Sequence, residues 1–136
     1  MKKLSIIIII AVMATLLSGC GSTKLADSFD KDNVESASKQ VVSYLNAADY
    51  DSVCSMLRED LQKVLPPEDL KSAVEKTYGN AGSFVDYKNV VIIGQKVKST
   101  KEDSAMAIVV AKYENQNVTF TLSFDTDMKL IGIYMK

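Results

Sequence analysis

The sequence has no histidine and only two cysteines, Cys20 and Cys54. Zinc sites of the usual Cys/His kind are therefore excluded. Long blocks of like charge are missing as well, the charged residues being spread along the chain. That removes the electrostatic footprint a nucleic-acid surface needs, so no nucleic-acid partner is expected, and no cofactor either. No internal repeat or low-complexity segment occurs beyond one run of isoleucines, Ile6 to Ile10.

That run belongs to a leader. Met1-Lys2-Lys3 is a short positive patch, and Leu4 to Leu17 is almost continuously apolar. Positive start, apolar middle and small residues before a cut site are the parts of a secretory signal. This stretch of fourteen residues falls short of the roughly 20 needed to span a bilayer as a helix. The run closes on Leu17-Ser18-Gly19-Cys20, and here the chain resembles bacterial lipoproteins, whose lipobox is a Leu, two small residues and a Cys. The resemblance implies cleavage after Gly19 and a diacylglyceryl thioether on Cys20. Two acyl chains give stable membrane attachment where one is marginal, at about 0.8 kcal/mol per buried CH₂. An ordinary signal peptide with a chance cysteine, or an uncleaved helix, is the alternative; charge, length and tetrad in one register favour the lipoprotein. The expected location is the extracytoplasmic face of the cell membrane. With Cys20 lipidated, Cys54 has no partner for a disulfide.

Removing residues 1–19 leaves about 117, one ordinary domain, and the loss of Lys2 and Lys3 takes the formal charge from −1 to about −3. Residues 20–32 read as the lipidated cysteine and a flexible polar tether, and residues 33–136 as the domain. Val34, Ala37, Val41, Leu45 and Ala48 recur at helical spacing, capped by Asp32 or Asn33. A second helix starts at Asp49 or Asp51, with Val53, Cys54, Met56, Leu57 and Leu61 inward. Pro66-Pro67-Glu68-Asp69 opens a third, because proline suits a first helical turn and carboxylates suit its dipole. After Gly82 the period falls to two, predicting strands over 84–97, 104–113, 118–124 and 130–135, with Gly94 a bulge or bend. Three helices followed by a four-strand meander predict an α+β domain, its helices on one face of an antiparallel sheet.

The strands differ in a telling way. Val118, Phe120, Leu122 and Phe124 alternate with Thr119, Thr121 and Ser123, whereas the second strand carries Ala105, Ala107, Val109 and Ala111 on one face and Met106, Ile108 and Val110 on the other. A strand apolar on both sides is normally covered on both. Three helices cover one face, so the other is expected to meet a partner, first of all a second copy of the chain. A modestly apolar solvent face is the alternative.

Val41 to Asp51, Leu57 to Leu61, Leu65-Pro66-Pro67-Glu68-Asp69-Leu70 and Gly82-Ser83-Phe84, with Phe120 to Asp125 and Lys129 to Ile133, carry a further resemblance. They resemble the family known as domain of unknown function 3887, a branch of the nuclear transport factor 2-like (cystatin-like) superfamily. Met128 stands where that pattern expects a glycine, and the third helix lacks a Trp. The resemblance implies a curved sheet closed around helices into a cone with an apolar pocket, which superfamily members use for binding, dimerising or catalysis; fold alone does not choose.

The candidate pocket residues are Tyr44, Tyr78, Phe84, Asp86, Tyr113, Phe120 and Leu122. Two readings follow. One is a non-catalytic module that binds a small hydrophobic ligand, an envelope component or its own twin. The other is a small isomerase or hydrolase with a carboxylate, Asp86, tuned by the pocket beside a tyrosine. The first is favoured, because the chain offers no histidine and no second placed acid. Asp125-Thr126-Asp127 reads as a hairpin turn rather than a calcium loop, since Lys129 and Leu130 stand where a ligand and a glycine should be. Cys54, with no cation placed beside it, reads as a core residue.

Overall fold

A computed structural model describes residues 24–136; the leader and the lipobox residues Leu17, Ser18, Gly19 and Cys20 lie outside the described residues. Helix α1 spans Lys31–Asn46, α2 Tyr50–Met56, α3 Glu59–Gln62 and α4 Pro67–Tyr78. Strands β1 (Phe84–Lys96), β2 (Asp103–Tyr113), β3 (Asn117–Phe124) and β4 (Leu130–Met135) follow. They pair in chain order as one antiparallel sheet. The expected α+β meander is the architecture observed.

Helix α1 begins two residues before Asn33. Asp30, in extended backbone, accepts the Asn33 N–H at 3.0 Å, which leaves Asp32 in the first turn, where the helix dipole favours a negative charge. Its buried face is Val34, Ser38, Val41, Val42 and Leu45. Ser38 sits there without cost in unpaired groups, because its hydroxyl donates to the Val34 carbonyl at 2.7 Å. The expected second helix is two pieces. Asp49 caps α2, but Leu57 is extended and the Arg58 N–H donates to the Leu130 carbonyl at 3.0 Å. A bond to the edge of β4 has replaced continuation of the helix, and α3 is one short turn beyond it. Pro67 opens α4, whose Leu70, Val74 and Tyr78 point into the core.

The inner face of β2 explains how α1 lies so close to the sheet. Ala105, Ala107, Val109 and Ala111 are all fully buried, and small side chains let a helix axis approach across β1, β2 and β3. On β3 the inner residues are Val118, Phe120, Leu122 and Phe124.

Two expectations at the start of the domain need correction. Gly94 pairs in regular register with Ala105, and the register shifts fall instead near Val85 and Lys88. The glycine is there because the incoming chain lies on it: a Cβ would stand 2.3 Å from the Lys24 carbonyl oxygen and 2.9 Å from the Leu25 Cα. Phe29 is then buried in the core, with Leu25 and Ala26 packed against it. Within the described residues, 24–30 are thus part of the folded domain and not a tether. Three apolar side chains among polar ones had no period to betray them.

In the last turn Met128 takes the left-handed backbone, φ +60°, a conformation that glycine adopts without steric cost. The Asp125 carboxylate accepts from the N–H groups of Asp127 and Lys129 at 3.0 and 2.9 Å. Asp125 therefore closes the turn, as expected of a hairpin rather than a calcium loop.

Candidate functional site

Four of the seven candidate pocket residues meet in one place. Tyr78 comes from the end of α4, Phe84 from the start of β1, Tyr113 from the end of β2 and Phe120 from the middle of β3. Antiparallel pairing sets Phe84 opposite Tyr113. The Tyr78 ring lies 5.2 Å from that of Tyr113 and edge-on to Phe120 at 5.6 Å, while Phe84 stands edge-on to Tyr113 at 5.8 Å. Such tilted and edge-on contacts are the favoured aromatic geometry. Leu122 is buried deeper in the same core.

The two remaining residues are elsewhere. Tyr44 on α1 is half-buried against the core, and its hydroxyl accepts from Gln40 Nε2 at 2.9 Å. Asp86 is exposed and accepts the N–H of Tyr87 at 2.8 Å. It pairs with Lys112 on the opposite face of β1 from the rings, because the register shift at Val85 turns it outward.

Asn46 is the residue that sequence reasoning missed here. The Tyr113 hydroxyl donates to Asn46 Oδ1, and the Tyr78 hydroxyl approaches the same oxygen at 3.5 Å. Both phenols are therefore spoken for by a neutral amide. Burial pushes the Tyr113 phenol up to about 12, and burial with the Tyr113 neighbour pushes Tyr78 well above the usual tyrosine range. Neither group can serve as a base near neutral pH; as donors, both are committed to Asn46. The space between α4 and the sheet is occupied by these aromatic side chains.

The raised phenols carry a pH signature. The unfolded chain releases tyrosine protons near 10, and the folded chain holds those of Tyr113 and Tyr78 longer. Their contribution to stability is whole below about pH 10 and is lost as pH rises through the folded value of Tyr113, about 12. Urea midpoints measured from pH 8 to 12 should stay level to about 10 and then fall. A steady decline beginning below pH 9 would contradict this assignment.

Cys54 is half-buried, with its thiol directed at the Leu65 carbonyl, and burial raises its pKa. A thiol so placed is a poor nucleophile. Among the described residues no group of three or more metal-ligating side chains occurs.

The open space lies on the other face of the sheet. The row Met106, Ser123, Gly132 and the row Ile108, Thr121, Tyr134 run across β2, β3 and β4 on the side away from the helices. Small residues in these rows make a floor, and a recess of about 80 Å³ opens over Ser104, Thr121, Ser123 and Gly132. Leu61, Val97, Ile131 and Tyr134 wall it, with Arg58 at the rim. Arg58 and Leu61 reach this face because residues 57–58 pair with the edge of β4. The Arg58 guanidinium is forked onto Asp60 at 2.8 and 3.1 Å, which holds the Asp60 carboxyl below the usual carboxylate range. Beside the recess run Val91, Ile93, Ile108 and Val110, of which Val91 is 41 % exposed.

A family model described as Protein of unknown function (DUF3887) matches residues 38–133. The chain belongs to the DUF3887 family. The match takes in every element from the middle of α1 to β4, so the DUF3887 domain includes both the aromatic plug with Asn46 and the outer recess. The DUF3887 chain is also similar to a protein from Ruminococcus gnavus ATCC 29149 solved by NMR, with 28 % identity and a TM-score of 0.72. The alignment covers 83 % of this chain and 96 % of that one. No curated protein matches.

Proposed function

We propose that this protein is a lipoprotein of the extracytoplasmic membrane face whose DUF3887 domain binds rather than catalyses. The anchor is the diacylglyceryl thioether on Cys20, supported by the positive start, the short apolar run and the Leu17-Ser18-Gly19-Cys20 tetrad. The domain is a nuclear transport factor 2-like cone, a reading supported by helices packed on one face of a four-strand meander. One observation carries the binding role: the helices cover one face of the sheet, and the other presents Val91, Ile93, Ile108 and Val110 beside a recess. Burying such a row against a ligand or a second copy is favourable at about 25 cal/mol per Å². The enzyme reading needed a carboxylate beside a tyrosine in the cone, and Asp86 faces the solvent instead.

Native mass spectrometry of the protein from Gly21 onward, purified from its host, tests the reading. A homodimer or a retained apolar small molecule is the expected result, and Ile108→Glu should abolish it without changing the circular dichroism spectrum. A bare monomer would count against both forms of binding.

A further inference from the structure

Where the incoming chain is pinned to the sheet decides which surface can face a membrane. Lys24 and Leu25 lie on Gly94, near the end of β1, and only two residues before Lys96. From Lys24 back to Cys20 there are four peptide steps, at most about 14 Å even fully extended. A domain of this size has a radius of gyration of about 13 Å. An acyl group on Cys20 therefore cannot hold the domain clear of the bilayer; it sets the end of β1 against it.

That end is the β1–β2 hairpin, and its charge suits the position. Lys96, Lys98 and Lys101 fall within six residues, with Lys24 beside them on the incoming chain. Glu102 and Asp103 are nearby: Asp103 is paired with Lys96 at 2.8 Å, and Glu102 accepts from Thr100 but keeps its charge, so Lys24, Lys96, Lys98 and Lys101 leave the hairpin with a net positive surplus. Lys24, Lys98 and Lys101 are exposed and make no ion pair among the described residues. Lys101 also occupies left-handed backbone, φ +63°, a site where hairpins ordinarily place glycine or asparagine. At the opposite end of the same strands lie Lys88 and Lys112, on the order of 25–30 Å away at the rise of a β-strand. That is well beyond the roughly 8–10 Å over which such charges act in salt.

We infer that the Lys96–Lys101 hairpin is a membrane-contact surface that binds anionic phospholipid headgroups beside the Cys20 anchor. The inference rests on the lipoprotein reading and adds orientation and lipid class to it. Cationic side chains so close to a negative bilayer are attracted to it cooperatively with the anchor.

The test uses the mature, lipid-bearing protein reconstituted into phosphatidylglycerol-containing vesicles or pure phosphatidylcholine vesicles. Lysines are acylated with a water-soluble active ester and the peptides weighed. Lys98 and Lys101 should react about fivefold more slowly on the anionic vesicles. Roughly 1 M salt should remove the difference, and Lys88 and Lys112 should react equally on both. The double variant K98E/K101E should lose the lipid dependence at Lys96 and Lys24 while keeping its circular dichroism spectrum. Equal reactivity of Lys98 and Lys101 on both vesicles, or protection of Lys88 and Lys112 instead, overturns the inference. The mass of the N-terminal peptide separates the two failures. An acylated Cys20 with unprotected hairpin lysines overturns the surface alone; an unmodified Cys20 overturns the anchor, and the surface with it.

Discussion

Phe120→Ala is expected to lower the unfolding free energy by about 3–5 kcal/mol. Phe120 is fully buried, edge-on to Tyr78, and paired across the sheet with Val109 and Met135. It is the floor on which the aromatic plug rests. Removing the ring deletes its burial energy and leaves a space that its neighbours cannot fill, because Tyr78 and Tyr113 are both tied to Asn46. Urea unfolding followed by circular dichroism measures it. A loss below about 1.5 kcal/mol would mean that the surrounding side chains collapse into the space the ring leaves.

Gly94→Val should detach the first turn of the domain. A Cβ at this position meets backbone and not a movable side chain, with the Lys24 carbonyl oxygen at 2.3 Å and its carbon at 2.8 Å. The strand is held in place there by regular pairing with β2 from Asn89 to Lys96. The segment 24–30 must lift, and with it Phe29, whose burial is worth about 1.5–3 kcal/mol. Tryptic cleavage after Lys24 and Lys31 should become much faster in this variant, while the sheet remains folded. Unchanged cleavage would show that the chain crosses elsewhere.

Much of this architecture could be read from periodicity. Strict alternation located β3, and the proline pair with two acidic residues located α4, because these signals depend on neighbours in the chain alone. The break after Met56 was invisible for the opposite reason. Leu57 and Leu61 fit a continuing helix, and only the edge of β4, more than seventy residues away in sequence, offers the carbonyl that pulls Arg58 out of it. Leu25, Ala26 and Phe29 were lost among Lys24, Asp27, Ser28 and Asp30 because three apolar residues set no period. At the candidate site, Phe120 was legible in the alternation of its strand, while Tyr78, Phe84 and Tyr113 stood out only as aromatic residues of the domain. Asp86 was misplaced by the register shift at Val85, which turns it to the outer face before the second shift, at Lys88, restores the parity of the strand. Asn46, on an exposed helix end, gave no signal at all. The apolar outer face was visible in Met106, Ile108 and Val110, but the recess beside it was not, because Ser123 and Gly132 look like ordinary solvent-facing residues.

The proposed membrane residence depends on acylation of the Cys20 sulfur, and fractionation of a Cys20→Ser variant expressed in the native host tests it most directly. A serine oxygen cannot accept the thioether-linked diacylglyceryl group, so the variant should pass from the membrane pellet to the soluble fraction or the medium, and any precursor left in the membrane should run at the larger, unprocessed mass. A Cys20→Ser protein that is processed to mature size and still pellets with the membrane would contradict it.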